Sequence, residues 1–140
     1  MAELKLEIIT PYKSMFSGII KSITIPGTVG SFQILINHAP LISTFECDII
    51  KIVLFNDDVI YYTTSGGTVE VLDNKVLVLA DTIENVKDLD EVRAKRAKMR
   101  AQERLANRED KRIDVHRAEV ALQRAVNRLN AIEKYIKSEV

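Results

Sequence analysis

The sequence predicts an α+β protein of two segregated parts, an N-terminal β-sandwich followed by a C-terminal antiparallel two-helix hairpin. Two features of its 140 residues support this division. All five glycines and all three prolines precede residue 68, and these residue types punctuate turn-rich β structure. After Asp81 the apolar residues change from the two-residue period of a strand to the spacing of a helix. We place the boundary between residues 1–84 and residues 85–140.

Short apolar segments separated by turn residues predict the strands of the sandwich. Leu4, Leu6 and Ile8 alternate with charged residues, which is the pattern of a half-buried strand. Asp73-Asn74 predicts a two-residue hairpin turn, and Ser65-Gly66-Gly67 predicts a tight turn or a β-bulge. The predicted strands cover residues 4–8, 19–25, 32–36, 48–55, 59–64, 69–72 and 75–80, which is typical of a β-sandwich or a flattened barrel.

The second part carries the signals of two helices. Asp88 followed by Glu91 predicts an N-cap with a capping box, and Asn107–Asp110 is the predicted break between the helices. The second helix has apolar residues at alternating spacings of three and four, as helices packed on other helices do: Val115, Ala118, Leu122, Ala125, Leu129, Ile132 and Ile136. The corresponding stripe of the first helix is smaller: Ala94, Ala97, Ala101 and Leu105.

The alanine content of these stripes predicts a weakly held hairpin. Burying a leucine is worth about 1.5–3 kcal/mol, whereas an alanine methyl contributes only about 0.8 kcal/mol. An interface that is lined by alanine on one side therefore gains little per helical turn. We expect a ligand or a partner to decide whether the hairpin stays folded back or opens.

Few residues offer catalytic or metal chemistry. His38 and His116 lie in different parts of the chain without metal-ligand spacing, and Cys47 follows an apolar stretch typical of a buried thiol. The chain has no G-x-x-x-x-G-K-[ST] phosphate loop. Neither a signal peptide nor a bilayer-spanning apolar run is recognisable, so we expect contact with a membrane only through a partner.

Charge divides as the secondary structure does. Residues 1–81 carry five basic and nine acidic residues, whereas residues 82–140 carry fifteen basic and eleven acidic ones. Arg96, Arg100, Arg104 and Arg108 form a basic stripe at i, i+4 spacing, with Arg93 one turn earlier. Like charges at this spacing cost a helix about 0.2–0.5 kcal/mol per pair. The stripe is either a solvated face or a surface for an anionic partner, of which nucleic acid fits least because the whole chain is neutral.

Several motifs occur along the chain in a fixed order. They are Met15-Phe16-Ser17-Gly18, Gly30 with Asn37-His38-Ala39-Pro40-Leu41, Ser65-Gly66-Gly67, Val69-Glu70-Val71, Val76 with Val78-Leu79-Ala80-Asp81, Leu89-Asp90-Glu91-Val92-Arg93-Ala94, Ala121-Leu122-Gln123-Arg124-Ala125 and Asn127-Arg128-Leu129. No motif is decisive by itself. Together they resemble the epsilon subunit of F-type (rotary) ATP synthases over the length of the chain.

The resemblance implies a non-catalytic central-stalk subunit that couples ion translocation to ATP synthesis. The sandwich would bind the gamma subunit and the rotor-ring c subunits. The hairpin would either fold down or extend into the catalytic head of alpha and beta subunits, where it would inhibit ATP hydrolysis. The basic stripe would then face the acidic loop of the beta subunit. The implied location is the cytoplasmic face of the bacterial plasma membrane, or alternatively the stromal face of the thylakoid, with the membrane reached only through the complex.

The resemblance also implies two sets of site residues. No cofactor is required, but some members of the family bind ATP on the folded hairpin as a regulatory ligand. The matching positions are Glu84, Asp90, Arg93, Ala94, Arg124 and Arg128. Arginines suit phosphate oxygens, and Asp90 suits a ribose or adenine donor; the alternative is that Asp90 and Glu91 only cap a helix.

Ser31 and His38 match positions that face the rotor ring or the gamma subunit. In the family's glycine-rich segment, a glutamate and two later glycines are common where this chain has Ser31, Gln33 and Asn37. We expect the sandwich to tolerate these residues, whereas contacts with the ring would lack a carboxylate.

Two further interpretations stay open at the level of sequence. The chain could be a free-standing ATP-sensing module without an assembly, or a coiled-coil adaptor whose sandwich is only a support. Co-purification with gamma and catalytic subunits would favour the stalk subunit, whereas a persistent monomer that binds ATP would favour the sensor.

Overall fold

The computed structural model describes residues 2–139 and divides into two compact units, Met1–Asn85 and Val86–Val140. The first unit consists of strands and the second of helices. Within the described part of the chain, no helix combines the length and the apolar character that a membrane span requires. The predicted fold class, a β-sandwich followed by two helices, is confirmed.

Seven strands form the described part of the first unit, residues 2–85. They are β1 (Leu4–Ile9), β2 (Ser14–Gly27), β3 (Gly30–Ile34), β4 (Leu41–Leu54), β5 (Val59–Leu72), β6 (Lys75–Ala80) and β7 (Ile83–Asn85). The strand order is β1-β6-β5-β4-β2-β3, and an additional β1–β2 pairing closes the sheet on itself. Strands β2, β4 and β5 each run for 14 residues, which lets one strand pair with different neighbours along its length.

Alternating side chains fill the interior of this closed sheet. Leu4, Leu6 and Ile8 of β1 are at most 2% exposed, as their alternation with charged residues predicts. The parallel β1–β6 ladder sets Leu6 beside Val76, so the two strands contribute to the same apolar layer. The rest of the buried cluster comes from the long strands and includes Ile20, Ile23, Ile25, Phe45, Ile50, Ile52, Val69 and Val71.

The glycine pair in β5 corrects one sequence prediction. The predicted strands at 59–64 and 69–72 are a single strand, and its pairing with β4 runs through Gly66 and Gly67 without a register shift. The predicted turn or bulge is therefore wrong. The glycines are needed because a neighbouring strand comes close: a Cβ on Gly67 would lie 2.0 Å from the carbonyl oxygen of Leu79. Gly66 has a φ of +119°, which side chains disfavour.

Two turns in the first unit use asparagine in the left-handed region. Asp73 and Asn74 have φ values of 49° and 61°, which confirms the two-residue hairpin turn between β5 and β6. Asn37, which stands where the family commonly has glycine, has a φ of 63°. Asparagine tolerates this conformation. The backbone N–H of Asn37 donates to Asn74 Oδ1 at 2.6 Å, which ties the loop after β3 to the turn.

The second unit is a helical hairpin of α1 (Glu91–Ala106) and α2 (Val115–Tyr135). The predicted N-cap at Asp88 is wrong, because residues 86–88 form a single 3-10 turn and Asp90 caps α1. Asp90 has an extended backbone, and its Oδ1 accepts from the N–H of Arg93 at 3.1 Å. The predicted break is confirmed, since α1 ends at Ala106 and Asp114 caps α2.

The contact between the helices is made of small residues, as the stripes predict. Ala94 and Ala101 of α1 are buried at a spacing of seven, and the predicted stripe of α2 is most deeply buried at Ala118, Ala125 and Ile132. Ala131 is also buried, although it lies outside the predicted stripe. The prediction is wrong at Ile136, which is 38% exposed because α2 ends one residue earlier.

Candidate anion-binding and docking sites

Five of the six residues matched to an ATP site lie on the hairpin. Asp90, Arg93 and Ala94 begin α1, whereas Arg124 lies at the middle of α2 and Arg128 in its second half. An ion pair from Glu91, the first residue of α1, to a lysine just beyond α2 shows that these ends of the helices are adjacent. The hairpin is therefore antiparallel, and it brings the start of α1 to the second half of α2. Glu84 lies on β7 of the other unit, paired with Thr63 of β5.

Asp90 already has a structural role as the N-cap of α1. Its carboxylate satisfies one of the backbone donors at the helix start and complements the positive end of the helix dipole. A phosphate at the same place would meet this negative charge. The geometry therefore suits Asp90 to accept a hydrogen bond from a hydroxyl or amino group, and it leaves phosphate binding to the arginines.

Arg124 carries the clearest unsatisfied group of the hairpin. Its side chain is half-buried, and its Nε atom is inaccessible to solvent with no hydrogen-bond partner among the described residues. A buried donor without a partner costs about 1–3 kcal/mol. Arg128 is half-buried one turn further along α2, and Ala94 is 4% exposed. Because this atom is closed to solvent in the empty hairpin, an anionic ligand at this end would supply the missing acceptor only if the Arg124 side chain moves.

The exposed side of α1 combines positive charge with apolar surface. Val92 and Met99, seven residues apart, are 58% and 59% exposed. They line a shallow groove together with Asp90, Arg93, Arg96, Arg100 and Glu103. This mixture fits an acidic protein surface that also offers apolar side chains.

The predicted basic stripe divides into two parts. Arg96, Arg100 and Arg104 are exposed on α1, and none of them forms an ion pair within residues 2–139. Arg108 lies beyond the end of the helix, where its Nε donates to the carbonyl oxygen of Leu105 at 3.1 Å. Three arginines thus remain available to a partner, whereas the fourth also caps the end of α1.

One charged cluster was not predicted from the sequence. Glu91 Oε1 lies 2.6 Å from Lys137 Nζ and 3.1 Å from Lys95 Nζ. The hydrogen bonds from Lys137 and then Lys95 hold the pKa of Glu91 below its ordinary value, and the contact with Glu91 raises the pKa of Lys137. The i, i+4 spacing of Glu91 and Lys95 is a recognisable signal. The contact with Lys137 depends on how the hairpin closes, which the sequence does not reveal.

The two body residues matched to rotor or gamma contacts lie on and just after β3. Ser31 is exposed opposite Pro26 of β2. His38 is half-buried, and its Nδ1 lies 2.7 Å from the carbonyl oxygen of Ala39. Because a carbonyl oxygen can only accept, this contact places a proton on Nδ1 and leaves Nε2 for other interactions.

The outer face of the closed sheet carries an apolar patch that the strand predictions did not identify. Ile42, Leu72 and Leu79 are 79%, 50% and 45% exposed, and the ladder sets Ile42 opposite Glu70. We call these four residues, with Leu77 opposite Glu70 on β6, the outer patch. Its sequence signal is the uninterrupted apolar run of β6, Val-Leu-Val-Leu-Ala, because a strand that is apolar on both faces needs cover on both.

Two family models match the chain. Residues 3–86 match the beta-sandwich domain of the ATP synthase delta/epsilon chain, and residues 87–133 match its long alpha-helix domain. The chain is 47% identical over 126 residues to an ATP synthase epsilon chain of Desulfitobacterium hafniense, covering 90% of this chain and 93% of the relative. It is 42% identical over 129 residues to the ATP synthase epsilon chain of Desulforamulus reducens, covering 92% and 96%.

Solved structures share the fold at lower identity. A chain of the Euglena gracilis mitochondrial ATP synthase superposes with a TM-score of 0.80 at 18% identity, covering 94% of this chain and 82% of that one. A chain from the central stalk and c-ring of the Tetrahymena thermophila mitochondrial ATP synthase gives 0.53 at 22% identity, covering 62% and 69%. These structures support the β-sandwich followed by helices.

Proposed function

Because the chain belongs to the ATP synthase delta/epsilon chain family, as an epsilon subunit of the central stalk, we propose that residues 1–84 anchor it in the rotor and residues 85–140 regulate catalysis. The epsilon chain is a stalk subunit rather than the catalytic one. The anchor would couple ion flow to ATP synthesis. The single observation that carries the regulatory half is the alanine-lined hairpin with an unpartnered buried arginine.

The outer patch is the proposed contact with the gamma subunit. Apolar side chains that stay exposed to water on a sheet are unfavourable in free energy, and a cluster of them is typical of a protein interface. Glu70 lies within the patch, which adds polar specificity to apolar burial. The loop and strand that carry Ser31 and His38 are the proposed contact with the c subunits of the rotor ring.

The hairpin is the proposed moving element. Its buried side chains, apart from Ile132 and Val86, are alanines. At about 0.8 kcal/mol per methyl, the five buried alanines together contribute about 4 kcal/mol, which is comparable to what a bound ligand or a partner supplies. The body, by contrast, buries more than a dozen large apolar residues. The hairpin can therefore open while the body stays folded.

ATP is the proposed ligand of the closed hairpin. Arg93, Arg124 and Arg128 would bind phosphate oxygens, and Asp90 would accept from the ribose or the adenine amino group. Arg124 gains most, because a small movement of its side chain would exchange a buried, unpartnered Nε for a hydrogen bond to a phosphate oxygen. The resemblance also implies Glu84, which lies in the other unit, and Ala94, which is buried at the start of α1. A bound nucleotide stabilises the closed state by mass action.

The exposed arginines of α1 are the proposed inhibitory contact. Arg96, Arg100 and Arg104 lie on a helix with no ion pair of their own among the described residues. An acidic loop of the beta subunit in the catalytic head would offer complementary charge when the hairpin extends. Binding there would block ATP hydrolysis. The complex would place the chain at the cytoplasmic face of the bacterial plasma membrane, or the stromal face of the thylakoid.

Removal of the hairpin tests this function directly. We expect deletion of residues from Asp88 onward to raise the ATPase rate of the assembled complex, since the body can still bind the rotor. Arg100→Gln should relieve part of the inhibition because it removes an unpaired charge. Arg112→Gln is the matched control, because Arg112 is already paired with Asp110 at 2.8 Å. An ATPase rate that the deletion leaves unchanged would contradict an inhibitory hairpin.

A further inference from the structure

The open end of the hairpin is held by an ion pair in addition to apolar packing, which there includes the buried Ile132 and Ala94. At the other end, the loop of residues 107–114 joins the helices covalently. Between the ends, the buried contact is mainly alanine. At the open end, Glu91 Oε1 lies between Lys95 Nζ at 3.1 Å and Lys137 Nζ at 2.6 Å. Lys137 also lies 3.6 Å from Glu133 of the preceding turn, which makes a row of four alternating charges.

The contact between Glu91 and Lys137 is the one in this row that joins the two helical elements. Lys95 and Glu91 lie on α1, and Glu133 and Lys137 are separated by one turn at the end of α2. Lys137 belongs to the 3-10 turn that follows α2, and it therefore closes the hairpin from outside the helix. The two helices cannot separate at this end unless this ion pair breaks.

We propose that Lys137 and Glu91 form an electrostatic latch that closes the open end of the hairpin. Glu91 follows the cap residue Asp90 directly and lies in the same helical turn as Arg93. Opening the latch therefore releases the turn that carries the start of the candidate anion site, and closing it holds that turn against α2. Both side chains remain partly accessible, at 46% for Lys137 and 31% for Glu91, so dissolved salt reaches and weakens the latch.

The latch makes the open end of the hairpin more stable, which the alanine interface alone does not. An interface of small side chains has little intrinsic preference for where along the helices it opens. Because the loop joins the helices covalently at the other end, separation begins at the open end, next to the site, and the charge pair opposes it there. The latch itself belongs to the isolated chain, whereas its effect on ATP hydrolysis rests on the function proposed above.

A double-mutant cycle in the full chain tests the latch. The variants are Lys137→Gln, Glu91→Gln and the two together, without nucleotide, and the readout is amide hydrogen exchange in α1 and α2. At low ionic strength we expect Lys137→Gln to speed exchange near the start of α1 about twofold to fivefold, as exposed ion pairs do. In the background of Glu91→Gln the same change should have no further effect near the start of α1, because the remaining pair of Lys137 with Glu133 lies at the end of α2. At about 1 M salt the single variants should match the wild type near this end.

Two controls separate the latch from general effects of charge. Lys134→Gln removes a neighbouring exposed lysine that forms no ion pair within the described residues and only faces the ring of the adjacent Tyr135 at 5.3 Å, so it should leave exchange at the start of α1 unchanged. Lys95→Gln removes only the pair within α1. Exchange in β4 and β5 shows that each variant is folded. Equal effects of Lys137→Gln with and without Glu91, or effects that persist in high salt, would overturn the latch.

The ATPase of the assembled complex then tests the link to function. If Lys137→Gln opens the hairpin of the isolated chain, it should also strengthen inhibition, because more hairpins are available to extend. A variant that loosens the isolated hairpin but leaves the ATPase rate unchanged supports the latch and contradicts the proposed inhibitory role. The two failures are therefore distinguishable.

Discussion

Replacing Arg124 with methionine should stabilise the hairpin in the absence of ATP and weaken the proposed binding of ATP. Methionine is unbranched and at least as long as the aliphatic part of arginine, so it can keep the packing of the stem. It has no Nε donor, and the unpartnered buried N–H of the wild type disappears. Residues that serve a site commonly cost stability in the absence of the ligand. The expected effects on folding and on ATP binding therefore have opposite signs.

The size of the stabilisation expected in Arg124→Met follows from the buried Nε of Arg124. A donor without a partner costs about 1–3 kcal/mol, and the half-buried side chain of Arg124 places the expected gain at the lower end, about 1 kcal/mol. In local opening this corresponds to about a fivefold decrease in the open population. With ATP present the order should reverse, because the wild type gains ligand stabilisation that the variant cannot.

Amide hydrogen exchange in α1 and α2, with and without ATP, measures both effects. Arg117→Met is the matched control: it makes the same substitution at an exposed position of the first turn of α2, where the expected change is within about 0.5 kcal/mol. Faster exchange in Arg124→Met without ATP, together with an unchanged control, would refute the reasoning. In that case the guanidinium of Arg124 stabilises the empty hairpin itself.

Two further predictions concern the body and the open end of the hairpin. Gly67→Ala should lower the free energy of unfolding of the body by about 2–3 kcal/mol in urea titrations, because its Cβ would lie 2.0 Å from the carbonyl oxygen of Leu79. Gly18→Ala, whose nearest contact would be 3.4 Å, is the control, and equal losses would contradict the close approach. Carboxyl NMR titration should find the pKa of Glu91 below its ordinary value of 4.5, and Lys137→Gln should raise that pKa. A carboxyl whose pKa is lowered on folding stabilises the folded state above its ordinary pKa, and the contribution of this ion pair is lost as the pH falls through the folded pKa. An equal pKa of Glu91 in the wild type and in Lys137→Gln would contradict the contact.

The sequence predicts the fold where local chemistry decides the structure. Asp73-Asn74 adopts the left-handed conformation of a two-residue turn because its neighbours form a hairpin and both residues tolerate positive φ. Gly66-Gly67 misleads, because glycine serves equally for a turn and for a close approach between strands. The capping pattern predicts the N-cap at Asp88 instead of Asp90, because both aspartates fit it and only tertiary structure selects one.

The candidate site could be predicted only in part. The resemblance identifies Arg124 among the matched positions, but only the packed helices show that its Nε is buried without a partner. The contact between Lys137 and Glu91 could not be predicted from the sequence either, because it spans 46 residues and has no local signal. The apolar run of β6 signals the outer patch in the sequence, but assigning this run as a strand does not show which of its side chains stay exposed.

Hydrogen exchange along the whole chain tests the central claim, that the hairpin is a movable element on a stable anchor. We expect the amides of α1 and α2 to exchange well before those of β4 and β5, because the hairpin buries alanine where the body buries large apolar residues. Addition of ATP should slow exchange in the hairpin and leave the body unchanged. Hairpin amides that are as slow as those of the body without nucleotide would contradict the claim.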